Sequence, residues 1–218
     1  MRTDLTLPEL SPPDVSLPEL GLLVLDAASG QGRVALVGAA VVGEAAVGTD
    51  GLAQAVAGLD LSAVAAIAVT VGPGSFTGLR GALALAHGLA LARGLPLLPV
   101  TVAEALRAGW HAQVAVAVDA RRGRVFLDAG AGFATVPLDA LPALAGPVAG
   151  DAGPEVLARL GRDPSEAGPA WPDMAAIAAA ARARHAGRLA HLAPLPLYIE
   201  PPAITLPAGG VRPAPVPL

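Results

Sequence analysis

The stretch Val69–Val100, VTVGPGSFTGLRGALALAHGLALARGLPLLPV, reads as strand, Gly-rich turn, helix, turn and strand. The strand begins upstream. VAAIAVTV over residues 64–71 is a continuous apolar run with β-branched members, the pattern of a strand buried on both faces. Gly72, Pro73 and Gly74 interrupt it, Ser75 can cap a helix, and Thr77 and Gly78 fall in the first turn. From Leu79 to Ala92 the only polar side chains are Arg80 and His87. Gly94 then stops the helix, Pro96 bars its continuation, and Leu97–Val100 begin the next strand.

A helix lying on a sheet needs one apolar stripe, and this one is apolar nearly all round. Gly78, Ala82, Ala86 and Ala90 form a row that is small at every fourth residue and lets another backbone come close. Leu79, Leu83, Leu85, Leu89 and Leu91 supply bulk. Two readings stand: a central helix of its own core, or a helix whose second face is covered by another chain.

The chain has 218 residues, enough for one or two domains with real cores. It has no cysteine, which excludes a disulfide framework, a thiolate nucleophile and Cys-ligated zinc. It also has no lysine and no asparagine; all 14 basic residues are arginines. The absence of lysine excludes a Walker lysine, a Schiff base and a Lys general base. A net charge of −4 without a long basic run argues against strong unaided binding to nucleic acid. No apolar segment reaches the roughly 20 residues that span a bilayer. The acidic, proline-bearing N-terminus does not look like a signal peptide. A soluble cytoplasmic protein is expected.

Residues 1–20 contain LPEL twice around Ser11-Pro12-Pro13 and read as a flexible extension. Leu22–Leu25, then a turn after Asp26, then Arg33–Val37 make a β-hairpin, with a third run near Ala39–Val42. Thr49 or Asp50 can cap a short helix carrying Leu52, Val56 and Leu59. After the central stretch comes a short helix from about Val102 to Trp110. Val114–Val118 then runs to Asp119, and a Gly-containing turn leads to Arg124–Leu127.

LLVLDAASGQGRVAL and AVAVDARRGRVFL share an apolar run, Asp-Ala, a turn, and Arg-Val with further apolar residues; the two aspartates lie 93 residues apart. This is a domain-scale duplication. It predicts a first α/β domain over residues 21–103 and a second over 104–200. Further helices are expected after Pro154 and Pro172, a last strand near Leu195–Ile199, and a Pro-rich tail over 201–218.

An aspartate at a strand end before a tight turn, repeated in two domains, is the plan of the actin, hexokinase and Hsp70 class, where it serves a metal-bound nucleotide phosphate. Asp26 and Asp119 stand there. DAAS partly allows backbone N–H groups to converge on an anion, but DARR places two bulky arginines in the turn. Structural turn aspartates are the simpler reading. Gly72, Gly74 and Gly78 match neither a dinucleotide fingerprint nor a Walker loop, although the following helix N-terminus, helped by Arg80, offers an anion contact. His87, His111, His185 and His191 show no metal-ligand spacing, so no metal site is expected. Arg121, Arg122 and Arg124 are the one basic cluster; a solvated turn is the plain reading, and contact with an acidic partner or RNA the sharper one.

GPGSFTGLR with its Ala/Leu/Gly helix and GLPLLPVTVAEAL resembles the TsaB (YeaZ) family, as do Asp26-Ala27-Ala28-Ser29, Asp119-Ala120-Arg121-Arg122, Gly150-Asp151-Ala152-Gly153 and Pro196-Leu197-Tyr198. The resemblance covers about residues 22–200. It implies a duplicated ASKHA fold, with mixed sheets flanked by helices. It implies a non-catalytic subunit of the bacterial system that forms threonylcarbamoyladenosine beside the tRNA anticodon. That subunit pairs directly with TsaD, meets TsaE and tRNA only through the complex, and forms a homodimer when alone. No cofactor is implied for the isolated chain, and ATP or ADP only in the assembled complex.

Carried onto this sequence, the resemblance gives a partner surface of Leu52, Val56, Phe76, Leu79, Ala82, Leu83, Ala86, Leu89 and Ala90. It gives a motif loop of Gly72, Pro73, Gly74, Ser75, Thr77, Gly78 and Arg80, and vestigial nucleotide-site positions Asp26, Asp119, Gly150 and Gly153, with no catalytic residue. Two departures stand out: Asp-Ala-Ala-Ser replaces Asp-Thr-Ser, and residues 43–60 are shorter than usual and lack His-Ser-Glu. Two rivals from different classes stand: an ASKHA-type small kinase or ATPase acting alone, and a membrane- or peptide-binding adaptor using the proline-rich ends.

Overall fold

The computed structural model describes residues 21–48 and 50–200. The expected extension at 1–20, the cap at Thr49 and the tail at 201–218 lie outside the described residues.

Five strands make the first sheet: β1 (Leu22–Asp26), β2 (Gly32–Val37), β3 (Val41–Val47), β4 (Ala66–Gly72) and β5 (Leu97–Thr101), in the order β3-β2-β1-β4-β5. β1 pairs antiparallel with β2 and parallel with β4, because the connection from β3 to β4 carries the helix α1 (Leu52–Ala57). β4 is buried along its whole length, as its unbroken apolar run requires. Alternate residues divide the sheet into two cores. Leu23, Leu25, Val34, Ile67 and Val69 meet α1 and α2 (Phe76–Arg93) on one face. Leu22, Val24, Ala35, Ala66, Ala68 and Leu98 meet Ala105 of α3 (Val102–Gly109) and Met174, Ile177 and Ala181 of α5 (Met174–His185) on the other.

The second sheet holds β6 (Ala115–Asp119), β7 (Arg124–Asp128), β8 (Ala134–Pro137) and β9 (Val148–Ala149) in the order β8-β7-β6-β9. β6 is antiparallel to β7 and parallel to β9, the same plan as β3-β2-β1-β4. The duplication read from Asp26 and Asp119 is therefore a duplication of topology, and both aspartates end the central strand of their sheet. α4 (Gly153–Arg159) covers one face of this sheet through Val156 and Leu157. α3 covers the other through Val102, Ala103 and Leu106, so α3 lies between the two sheets. The stretch 104–200 does not stay with the second sheet, because α5 returns to the first.

Helix ends follow the local chemistry. The Ser75 Oγ accepts from Gly78 N–H at 3.3 Å at the start of α2, and Gly94, with φ +62°, ends it. Thr101 and Glu104 form a reciprocal capping box on α3. Glu104 also receives Arg184 of α5 at 2.5 Å, which fixes the two helices together.

Three expectations need correction. β3 reaches Val47 rather than ending near Val42. β8 went unread. Residues 195–199 form no strand: Pro194 and Pro196 lack N–H donors, and only Leu197 N–H bonds to the sheet, to Val71 O at 2.8 Å.

Candidate functional site

A cleft of about 440 Å³ opens between the two sheets. Its walls are the turn Ala28–Gly30, the loop Gly74–Thr77, the end of β6 from Val118 to Arg121, and the side chains of Phe126, Asp151 and Trp171.

The first-sheet aspartate does not face it. Asp26 is 1% exposed and saturated within its own half. Its Oδ1 accepts from Thr70 Oγ1 at 2.5 Å and from Ala28 N–H at 3.1 Å, and its Oδ2 accepts from Arg33 Nε and Nη2 at 3.0 and 2.5 Å. Arg33 also donates to Pro172 O at 2.7 Å. The Asp26 pairs thus fix the strand end, the hairpin and the entry to α5.

Asp119 does line the cleft, and its carboxylate is held by its own turn. Oδ1 accepts from Arg121 N–H at 2.8 Å, and Oδ2 lies 3.4 Å from Arg121 Nε. Arg121, Arg122 and Gly123 all have positive φ, of 64°, 57° and 70°. Left-handed backbone suits Gly123 and strains the two arginines by about 1–2 kcal/mol each. Asp151, missed among the site residues although it stands in the quoted Gly150–Gly153 turn, also lines the cleft and accepts from Asp119 N–H at 3.0 Å. Desolvation by the surrounding protein, with the Asp119 charge adding to it, holds the Asp151 carboxyl above its ordinary value. Gly150 and Gly153 lie outside the lining. Gly150 is required by contact, since a Cβ there would sit 2.0 Å from Ala117 O.

The motif loop splits in the same way. Gly74, Ser75 and Thr77 line the cleft, whereas Gly72, Pro73 and Gly78 are buried. The loop serves packing first: Ser75 N–H donates to Ala28 O at 2.8 Å, and Cβ atoms at Gly74 or Gly78 would lie 2.3 or 2.4 Å from the carbonyls of Ala28 or Ala27. Arg80 does not reach the cleft; its guanidinium stacks on Phe76, 4.5 Å from the ring centre. Among the described residues, no group of three or more His, Asp or Glu side chains is arranged to hold a metal ion. No helix among them is long and apolar enough to cross a membrane.

The expected partner surface is corrected in place. Leu52, Val56, Leu79, Ala82, Leu83 and Ala86 are buried inside this chain, against the first sheet or between the halves. The small row Gly78-Ala82-Ala86 lets α2 lie close on its own sheet, so a charge at Ala82 or Ala86 would break the monomer's core. Leu89 and Ala90 are half-buried, and Phe76 is 52% exposed. The uncovered side of α2 carries Thr77, Gly81, Ala84, Gly88 and Leu91, and no atom lies within 4 Å of a Cβ placed at Gly81 or Gly88. Beside it, Val56, Leu59 and Leu61 with Leu85 and Leu89 line a hollow of about 510 Å³ between α1 and α2.

Two mixed sheets of matching topology, flanked by helices and parted by a cleft, define an ASKHA-like α/β protein. Residues 52–139 match the family described as TsaD, tRNA N6-adenosine threonylcarbamoyltransferase. A curated relative from Escherichia coli (strain K12), the tRNA threonylcarbamoyladenosine biosynthesis protein TsaB, is 39% identical over 74 residues; the match spans 32% of this chain and 32% of that protein. Two solved structures from Pseudomonas aeruginosa each give a TM-score of 0.63. One is YeaZ, 28% identical over 82% of this chain and 99% of that one. The other is described as similar to the peptidase YeaZ, 27% identical over 83% of this chain and 99% of that one. The chain is thus similar to TsaB and YeaZ proteins in both sequence and fold.

Proposed function

We propose that this chain is the non-catalytic accessory subunit that supports transfer of a threonylcarbamoyl group to adenosine beside the tRNA anticodon. It acts by pairing directly with TsaD in the cytoplasm. The observation that carries this is the uncovered face of α2, an 18-residue helix of about 27 Å, in a chain similar to TsaB and YeaZ. Its outer residues Gly81, Ala84 and Gly88 are small and uncharged, so a second helix can approach closely, while Leu91, 86% exposed, supplies apolar area. With the α1–α2 hollow alongside, a pair of partner helices could bury the roughly 1,600 Å² of a standard interface. A homodimer of the isolated chain would use the same face around a two-fold axis. TsaE and tRNA join through the complex, and ATP or ADP binds only in the assembled state.

The decisive experiment reconstitutes tRNA modification from TsaD, TsaE and the TsaC-type synthase that makes the threonylcarbamoyl-AMP donor, all of the same organism, with and without this chain; modification is expected only with it. Ala84→Arg and Gly88→Arg, on the outer face, are expected to leave folding intact and weaken TsaD pairing by more than ~2 kcal/mol through burial of an unpaired charge. Unchanged co-elution of both variants with TsaD would refute this face.

The cleft supports a second reading, a small kinase or ATPase acting alone with Asp119 as its catalytic carboxylate. It predicts calorimetric binding of ATP and magnesium by the isolated chain that Asp119→Ala abolishes. The accessory reading predicts no binding.

A further inference from the structure

The chain crosses from the first sheet to the second through α3 and returns along residues 160–173 to α5. After α5 it bridges the two halves a third time. Residues 189–200 carry no helix or strand and run over α2 to the second sheet. Leu192 and Leu197 pack on the core under α2. The His87 Nε2–H donates to Pro194 O at 2.7 Å, and Leu197 N–H to Val71 O at 2.8 Å. Tyr198 lies on Phe76 with ring centres 5.7 Å apart. Glu200 then reaches Arg124 of β7 at 2.7 Å.

This strap shares a wall with the cleft. Phe76 from the first half and Phe126 from the second line both the cleft and a hollow of about 220 Å³ bounded by Leu197, Tyr198 and Ile199. The geometry points to residues 189–200 as a releasable latch that sets the width of the cleft. Apart from this strap, the halves are tied by the two covalent crossings, by the core around α3 and by the Arg33 bond to Pro172 O. Leu192 and Leu197 anchor the near part of the strap, and its far end is the weak point. Pro194 and Pro196 have no N–H to give, and Arg124 and Glu200 are 34% and 36% exposed, a setting in which an ion pair is weak and screened by salt. The Arg107–Asp128 pair, with side chains 23% and 6% exposed, shows how a permanent tie is made in this chain.

This inference does not depend on pairing with TsaD, and its test needs only the isolated full-length chain. Because the chain has no cysteine, Ala92→Cys on α2 and Ala158→Cys on α4, both exposed, give clean sites for two spin labels. Pulsed electron resonance should show one narrow distance distribution. Glu200→Arg should shift it to longer, broader distances and raise hydrogen exchange at the Leu197 amide about tenfold, as expected for local opening. The swap Arg124→Glu with Glu200→Arg should restore both. An unchanged distribution in Glu200→Arg overturns the latch. So does a swap that fails to restore the parent distances.

Discussion

The two halves of the molecule solve one problem in opposite ways. Each has a central strand that ends in an aspartate before a hairpin turn. In the first half the aspartate is sealed, with Thr70, Arg33 and Ala28 taking up its oxygens and no access to the cleft. In the second it stands at the cleft edge, 42% exposed, on a turn of two left-handed arginines. The same position in a duplicated plan has become a structural clamp on one side and a surface turn on the other. Neither resembles the paired, free carboxylates that hold a metal-bound phosphate between two domains. Position in a fold therefore does not assign a role; the partners of the side chain do.

The comparison can be broken most easily at Asp26. Asp26→Ala leaves the half-buried Arg33 without its carboxylate, and about 3 kcal/mol of stability should be lost. Urea unfolding would read this. Asp119→Ala should cost less than about 1 kcal/mol, since its ion pair is exposed; equal costs would erase the contrast. Arg122→Gly should stabilise the protein by about 0.5–1 kcal/mol, because relief of left-handed strain exceeds the extra freedom of the unfolded chain.

Acid titration sharpens the same contrast with different carboxyls. Burial alone would raise Asp128, but the Arg107 fork and the N–H groups of Gly130 and Gly132 outweigh it and hold the carboxyl below its ordinary 3.8. Its contribution is complete above that value and lost as pH falls through the lower folded value. Asp151 is raised, so the folded state binds its proton more tightly; its contribution is present below 3.8 and lost as pH rises through the folded value. Relative to the parent, Asp128→Asn should therefore be destabilised at neutral pH and converge with it in acid. Asp151→Asn should gain on the parent as pH rises. Urea unfolding from about pH 3 to about pH 7 measures both, and the Asp151 effect is the smallest of the set.

Most of the framework was legible. Apolar runs located the central strands, and Ser75 and Gly94 marked the ends of α2, because these signals are local. The repeated Asp-Ala turn gave the duplication. β8 was not legible, since the four residues ATVP are only partly covered and end in proline. The outer face of α2 was misread for a physical reason: two sides of the helix are small and apolar, and Gly78-Ala82-Ala86 cannot be told from Gly81-Ala84-Gly88 until the sheet is in place. The environment of Asp26 was equally hidden, because Thr70 lies 44 positions away in sequence.

The return of α5 to the first sheet bears on how the protein is made. On the ribosome, Leu22, Val24, Ala66 and Ala68 emerge before the second sheet, yet the side chains that cover them, Met174, Ile177 and Ala181, are translated only after it. Until then one side of the leading sheet is sticky and open to chaperones or to neighbouring nascent chains. A message truncated shortly before codon 174 would yield aggregate rather than a smaller working piece.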